Sequence, residues 1–308
     1  MDLLIWSIVL VVSLFVLVKS ADYFTNWSEK LWLYFWMSSF IVWATIVSVW
    51  TSMPEIVTST LAVIDGKSSF PIDNIIGSNI ANILLIWWIS WIIAITLKVK
   101  KELIDIDLPF FFLSTALFIY FIYDGVFTWK EGIVSLVVLF IFILYTLSNK
   151  KIKENKIDRS FSFKYIAFIV WGIVWIYFWA QYTLESVYKI SDILSIPSSI
   201  VTIFAVAIWT SLPEIIVSVQ AVRKKKHEIA LWNIFGSNTF NALAVTWIPS
   251  FFWTLTISPT VISVWIPFLI IATIGFIFST MDNKLEKWEA VLLLAVYIIF
   301  TFKVLGVI

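Results

Sequence analysis

A chain of 308 residues that is 61% hydrophobic and only 13% charged, with a formal net charge of +1, is not a water-soluble domain; about a quarter of such a domain is charged. Ten-residue alternating segments are absent, which excludes a transmembrane barrel. With no cysteine, disulfides and thiolate metal sites are excluded too.

Apolar runs long enough to cross a bilayer of about 30 Å recur from end to end, and the mean hydropathy is +0.97. The expected fold class is an all-α membrane protein. Residues 3–19 form the first span, because no small-residue cleavage site follows them. Further spans are expected at roughly 38–64, 71–97, 108–123, 131–148, 163–185, 198–222, 228–253, 260–279 and 288–305, ten in all. With the N-terminus outside, seventeen Lys and Arg face inward, and only Lys67, Lys130, Lys189 and Lys303 face outward. The positive-inside rule therefore places both termini outside, in a plasma or inner membrane. The polar stretch 148–160, "SNKKIKENKIDRS", reads as a solvated cytoplasmic loop. The basic run 223–227, "RKKKH", reads as a tight inner loop, and its lone His227 is not expected to be a ligand.

The two sides of this linker repeat each other. At an offset of 159 residues, Thr51, Ser52, Pro54 and Glu55 fall on Thr210, Ser211, Pro213 and Glu214. Ser59 falls on Ser218, Asn74 on Asn233, and Gly77, Ser78, Asn79 and Asn82 on Gly236, Ser237, Asn238 and Asn241. One ungapped offset across about forty residues marks a duplication. Residues 1–148 form the first half, with its motif at 45–82; 149–160 is the linker; 161–308 is the second half, with its motif at 204–241. Five spans per half turn the second copy over in the membrane. Inverted repeats of this kind are common in secondary transporters, with the site at the midplane between them.

The polar islands carry oxygen ligands only: Glu carboxylates, Thr and Ser hydroxyls and Asn carbonyls. Such a set suits hard cations such as Ca²⁺ and Na⁺. A carboxylate at the bilayer centre costs about 2.5–3.5 kcal/mol on insertion scales, so two at matched positions need compensation. Ser52, three residues before Glu55, and Thr51, four before it, share its helix face; Ser78 and Asn82 share a face of the next helix. Pro54 and Pro213 clash with the carbonyls of Trp50 and Trp209, so each helix is expected to open just before its glutamate. Irregular backbone at this depth is tolerated where it lines a cavity.

The pairs "TSMPE…GSNIAN" and "TSLPE…GSNTFN" resemble the two α-repeats of the cation/calcium exchanger superfamily, most closely its sodium/calcium exchangers. The resemblance spans essentially the whole chain. It implies antiport of Ca²⁺ against several Na⁺ at four clustered midplane sites. Position by position, it implies that Glu55 and Glu214 are the central carboxylates and that Thr51 and Thr210 add oxygens to the calcium site. Ser52 with Ser78, and Ser211 with Ser237, would form flanking sodium sites completed by the carbonyls of Ser48 and Ala207. Asn82 and Asn241 would line the middle site. Some prokaryotic members carry Asp at the position of Asn241, so two carboxylates rather than three would face the ions here; this bears on the middle site and on any need for K⁺. A K⁺-dependent or H⁺-coupled exchanger is the alternative, and a cation channel a more distant one. The proton-coupled branch has Asn in place of the Thr-Ser pair, which argues against it. Spans one and six would be the long tilted helices that slide across the core. No enzyme activity, cofactor or nucleic-acid partner is expected. The partners are inorganic cations and membrane lipid, and no protein partner can be inferred.

The tryptophans are anomalous: there are 19, against 8 glycines. Membrane helices favour Gly and place Trp at the two interfaces, yet many of these Trp are mid-span. Trp171, Trp175 and Trp179 recur every four residues, as do Trp32 and Trp36, where small residues normally let helices approach. Trp50 matches Trp209 and Trp88 matches Trp247 at the repeat offset. In relatives glycine precedes the Thr-Ser pair, and glycine is also expected at the positions of Trp27, Trp43, Trp88 and Trp232. The hypothesis is that many of these residues are glycine in the living protein, encoded by UGA codons that another genetic code reads as Trp. The alternative is genuine Trp with compensating changes. Trp6, Trp129 and Trp288, near span ends, fit real interface anchors.

Overall fold

The computed structural model describes residues 2–34, 52–94, 97–98, 101–149, 163–225, 227–281 and 284–307. Two long helices stand out, α1 (Asp2–Tyr34) and a counterpart in the second half (Phe163–Leu194). The first half continues with α2 (Met53–Ile64), α3 (Phe70–Ala81), a π-helical turn (Asn82–Ile86), α4 (Trp87–Ala94), β1 (Leu97–Lys98), α5 (Lys101–Ile122), β2 (Val126–Phe127) and α6 (Trp129–Asn149). The long helix Phe163–Leu194 is α7. It is followed by α8 (Ser198–Val201), a π turn (Thr202–Val206), α9 (Ala207–Thr210), α10 (Leu212–Arg223), α11 (His227–Phe240), a π turn (Asn241–Val245) and α12 (Trp247–Phe252). β3 (Leu255–Thr256), a π turn (Val261–Trp265), α13 (Ile266–Met281), β4 (Lys284–Leu285) and α14 (Lys287–Val304) complete the chain. Among the described residues, Asp2–Ser20, Phe70–Ile93, Phe163–Leu194 and Val261–Met281 are long and apolar enough to cross a membrane.

The prolines stand where α2 and α10 begin. Ser52 (φ −85°, ψ 6°) leads into α2 with Pro54 in the first turn; Ser211 (φ −79°, ψ 3°) leads into α10 with Pro213 there. A proline lacks the N–H that would continue the preceding helix but is well placed in a first turn. The ladders of α2 and α10 begin with Ile56 N–H donating to Ser52 O (3.1 Å) and Ile215 N–H to Ser211 O (3.0 Å).

Elements recur at the spacing of the sequence repeat. α2 and α10 coincide at 159 residues, and so do the π turns at 82–86 and 241–245. Two short antiparallel ribbons tie the halves together. Leu97 pairs with Leu285 and Lys98 with Lys284, while Val126 pairs with Thr256 and Phe127 with Leu255. Leu97 corresponds to Thr256 and Val126 to Leu285 at that offset, so each ribbon repeats the other with the halves exchanged.

The buried apolar side chains gather in two clusters. The main core gathers Trp87, Phe111, Phe235 and Phe276, all fully or almost fully buried. The other joins α1 to α7 through Leu10, Leu14 and Leu17 against Ile176, Ala180 and Leu184, and extends to Leu61 and Ala62 of α2 and Phe70 of α3. Within that seam the Thr183 hydroxyl donates to Ser13 Oγ at 3.1 Å. At 33 and 32 residues, α1 and α7 are roughly 50 Å long at 1.5 Å per residue, well beyond the bilayer's apolar thickness.

Gly77 marks a close approach between α3 and the second half. A Cβ there would lie 2.7 Å from Ile203 Cγ1 and 2.8 Å from Ala207 Cβ, with the Ile203 backbone Cα at 3.3 Å. Gly77→Ala is therefore expected to destabilise the protein by ~1–3 kcal/mol through overpacking, read as a lower melting temperature in detergent.

The tryptophans take several environments. Trp129 and Trp288 are exposed, as anchors at span ends would be. Trp171, Trp175 and Trp179 form a ladder along α7, with ring centroids 5.0 and 6.1 Å apart. Trp87 is buried and donates to Ser279 Oγ at 3.3 Å, whereas the buried indole N–H groups of Trp91, Trp247 and Trp265 have no hydrogen-bond partner. Trp36, Trp43, Trp50 and, apart from Asn149 at the end of α6, the linker 149–160 lie outside the described residues.

Candidate functional site

Helices α2, α3, α10 and α11, with the residues adjoining them, carry the polar residues of the motifs into the interior. Ser52, Glu55, Ser78, Asn82, Thr210, Ser211, Glu214, Ser237 and Asn241 are all at most 1% exposed, and Ala207 is fully buried. Ser48 and Thr51 fall outside the described residues. Glu55 lies in the first turn of α2 and Glu214 in the first turn of α10. A helix N-terminus favours an anion by about 0.3–1 kcal/mol, and ~2 kcal/mol at best. That falls short of the roughly 2.5–3.5 kcal/mol needed to hold one carboxylate at mid-membrane. The shortfall is larger here because Glu55 and Glu214 lie within electrostatic reach of each other. The Thr210 hydroxyl approaches Glu55 but makes no well-formed hydrogen bond to its carboxylate.

Most of the oxygens in this region have nothing to bond. Both Glu55 carboxylate oxygens, the hydroxyls of Ser52, Ser211 and Ser237, and the side-chain amides of Asn82 and Asn241 are buried without a hydrogen-bond partner. An orphaned buried polar group costs about 1–3 kcal/mol, so a set of this size is stable only if something else meets it. The donor set is hard oxygen from carboxylate, hydroxyl and amide, which fits an alkali or alkaline-earth cation. The Ser78 hydroxyl donates to the Ala207 carbonyl of the other half at 3.5 Å, and the Thr210 hydroxyl donates to the same carbonyl, three residues back in its own chain segment, at 3.4 Å.

Sequence reasoning missed three features. Asn82 and Asn241 each open a π-helical turn, a backbone device frequent at functional sites. Asn79 Nδ2 donates to Asn238 O at 3.3 Å, so two residues matched by the repeat meet each other. Asn233 Nδ2 donates to Glu214 O and to Ser218 Oγ, both at 3.0 Å, and so braces the second glutamate's helix. The signal for all three was the repeated Asn itself; the spacing gave each a face but no partner.

Comparison with known proteins identifies the family of the chain. The family model described as "Sodium/calcium exchanger protein" matches residues 5–148 and 164–306. The chain is 30% identical over 294 residues to the uncharacterized membrane protein MJ0091 of Methanocaldococcus jannaschii, covering 93% of each chain. It is 27% identical to the sodium/calcium exchanger MaX1 of Methanosarcina acetivorans, covering 95% of this chain and 96% of that one. Among solved structures it resembles the sodium-calcium exchanger NCX_Mj, with 28% identity, a TM-score of 0.69, and coverage of 96% and 97% of the two chains. With the family model matched on both sides of the linker, the chain belongs to the sodium/calcium exchanger protein family and is a multi-pass membrane exchanger of cations.

Proposed function

We propose that the protein exchanges Ca²⁺ for Na⁺ by alternating access at a midplane site built on Glu55 and Glu214. The observation that carries this reading is the buried set of unpartnered hard oxygens around two neighbouring carboxylates. The names of MaX1 and NCX_Mj support the choice of ions. In this reading Glu55 and Glu214 bind the ions centrally, with Thr51 and Thr210 as added calcium ligands. Ser52 with Ser78 and Ser211 with Ser237 form the flanking sodium sites, which the Ser48 and Ala207 carbonyls complete; Asn82 and Asn241 line the middle.

The ten spans form two inverted five-span halves, both termini lie outside, and the 149–160 loop is cytoplasmic. The matched break points and the exchanged ribbons support inversion. Helices α1 and α7, joined by their own apolar seam, form the body that slides. Ions neutralise the two carboxylates, and only a neutralised site crosses between the two open forms. Each ion therefore acts by stabilising one state over another, which coupling requires. The test is uptake of radioactive Ca²⁺ into proteoliposomes loaded with Na⁺, K⁺ or acid. Uptake is expected with an outward Na⁺ gradient alone; uptake driven equally by K⁺ or protons would move the assignment to another coupling ion.

A further inference from the structure

Asp73 belongs to none of the ligand sets above, yet it is a carboxylate only 3% exposed in the first turn of α3. Its Oδ1 has no hydrogen-bond partner. Both polar atoms of the next side chain, Asn74, are also buried without partners, and so is the Ser59 hydroxyl of the adjoining helix α2. The second half treats the matched positions differently. There Asn233 satisfies itself on Glu214 O and Ser218 Oγ, and Trp232 stands where Asp73 does. The α10–α11 seam is thus closed by hydrogen bonds, while its α2–α3 counterpart keeps a carboxylate, an amide and a hydroxyl unmet.

The position of this cluster suggests its use. At about 100° per residue, Asp73, Asn74, Gly77 and Ser78 share an arc of roughly 140° on α3. Gly77 and Ser78 on that arc meet Ile203 and Ala207, and the Ala207 carbonyl also accepts from the Thr210 hydroxyl that approaches Glu55. Asp73 precedes Ser78 by five residues, about 7.5 Å along the helix toward the turn at 65–69. Ser59 lies one turn beyond Glu55 in the same direction along α2.

We infer that Asp73, with Asn74 and Ser59, forms an additional hard-cation site. It would hold Ca²⁺ between the membrane face bearing the 65–69 turn and the central glutamates. This rests on the exchange reading above and adds an asymmetry to it: one access route carries an acidic ligand, and the matched route on the opposite face does not. Asp73 is a staging ligand, so its charge sets how readily Ca²⁺ enters from one face and leaves turnover at saturation unchanged.

The test compares wild type, Asp73→Asn and Asp73→Glu in right-side-out and inverted vesicles, measuring Na⁺-driven Ca²⁺ flux against Ca²⁺ concentration. For Asp73→Asn, the half-saturating Ca²⁺ is expected to rise about tenfold at the face bearing the 65–69 turn and to stay unchanged at the other. Maximal flux should hold, and Asp73→Glu should restore the wild-type value. An equal change at both faces, no change at either, or a fall in maximal flux alone would overturn the inference. Absence of Na⁺-driven flux in wild type would instead overturn the exchange reading itself.

Discussion

Replacing Glu55 with glutamine is expected to weaken Ca²⁺ binding by ~100-fold or more while leaving the fold intact. Removing one partner of a buried charge pair costs about 3–5 kcal/mol, and each 1.4 kcal/mol is a factor of ten. Glutamine keeps the shape and one carbonyl oxygen but removes the charge that opposes the cation. The ion-free protein responds in the opposite direction. Glu55 is fully buried, lies within electrostatic reach of Glu214 and has no well-formed hydrogen bond to its carboxylate, so the neutral side chain removes a repulsion and a desolvation cost. Melting curves separate the two effects. Saturating Ca²⁺ should raise the melting temperature of wild type, because a ligand that binds only the folded state stabilises it by mass action. The Glu55→Gln protein should melt at or above the ion-free wild-type temperature and gain nothing from Ca²⁺. A Ca²⁺-dependent rise as large as in wild type would show that Glu55 does not bind the ion.

Sequencing the gene is expected to find UGA at codons 50 and 209, and expression with glycine there should give a more stable protein than expression with tryptophan. Both positions immediately precede the Thr-Ser pair and match at the repeat offset. The second lies in the short helix α9, two residues beyond the Ala207 that packs on Gly77. At that contact a single methyl on Gly77 already comes within 2.8 Å of its neighbour. A tryptophan side chain carries about 150–250 Å² of surface, and overpacking costs ~1–3 kcal/mol per site. The buried indole N–H groups of Trp91, Trp247 and Trp265 lack partners, although buried tryptophan usually finds one. Over several positions the total rivals the ~5–15 kcal/mol stability of an ordinary domain. Intact mass of the protein from its native source checks the same point, since each Trp-to-Gly difference is countable. UGG at both codons would end the hypothesis.

Much of the architecture was legible because it follows from local rules. Apolar run length marks helices, and Pro54 and Pro213 each stand in a helix's first turn, where a proline fits. The 159-residue offset read in the sequence also relates the bounds of α2 to those of α10. The continuation of α1 to Tyr34 and of α7 to Leu194 was not legible, since hydropathy fades where lipid ends while a helix need not. The π turns at Asn82 and Asn241 were hidden because one extra residue per turn barely disturbs the apolar pattern. Two-residue ribbons such as Leu97–Lys98 are too short to show any period. At the site, the ligand types were legible from the motifs. That Asn233 is satisfied and Asn74 is not depends on how two matched seams close, which a repeat read as symmetric cannot reveal.

The account turns on the two glutamates serving as the site through which Na⁺ drives Ca²⁺. Its most direct test is Ca²⁺ uptake by proteoliposomes under an imposed outward Na⁺ gradient, with wild type and Glu214→Gln reconstituted side by side. Wild type should accumulate Ca²⁺ while the gradient lasts and release it when the gradient is collapsed; Glu214→Gln should do neither. Uptake that ignores the gradient, or that survives in Glu214→Gln, would contradict it.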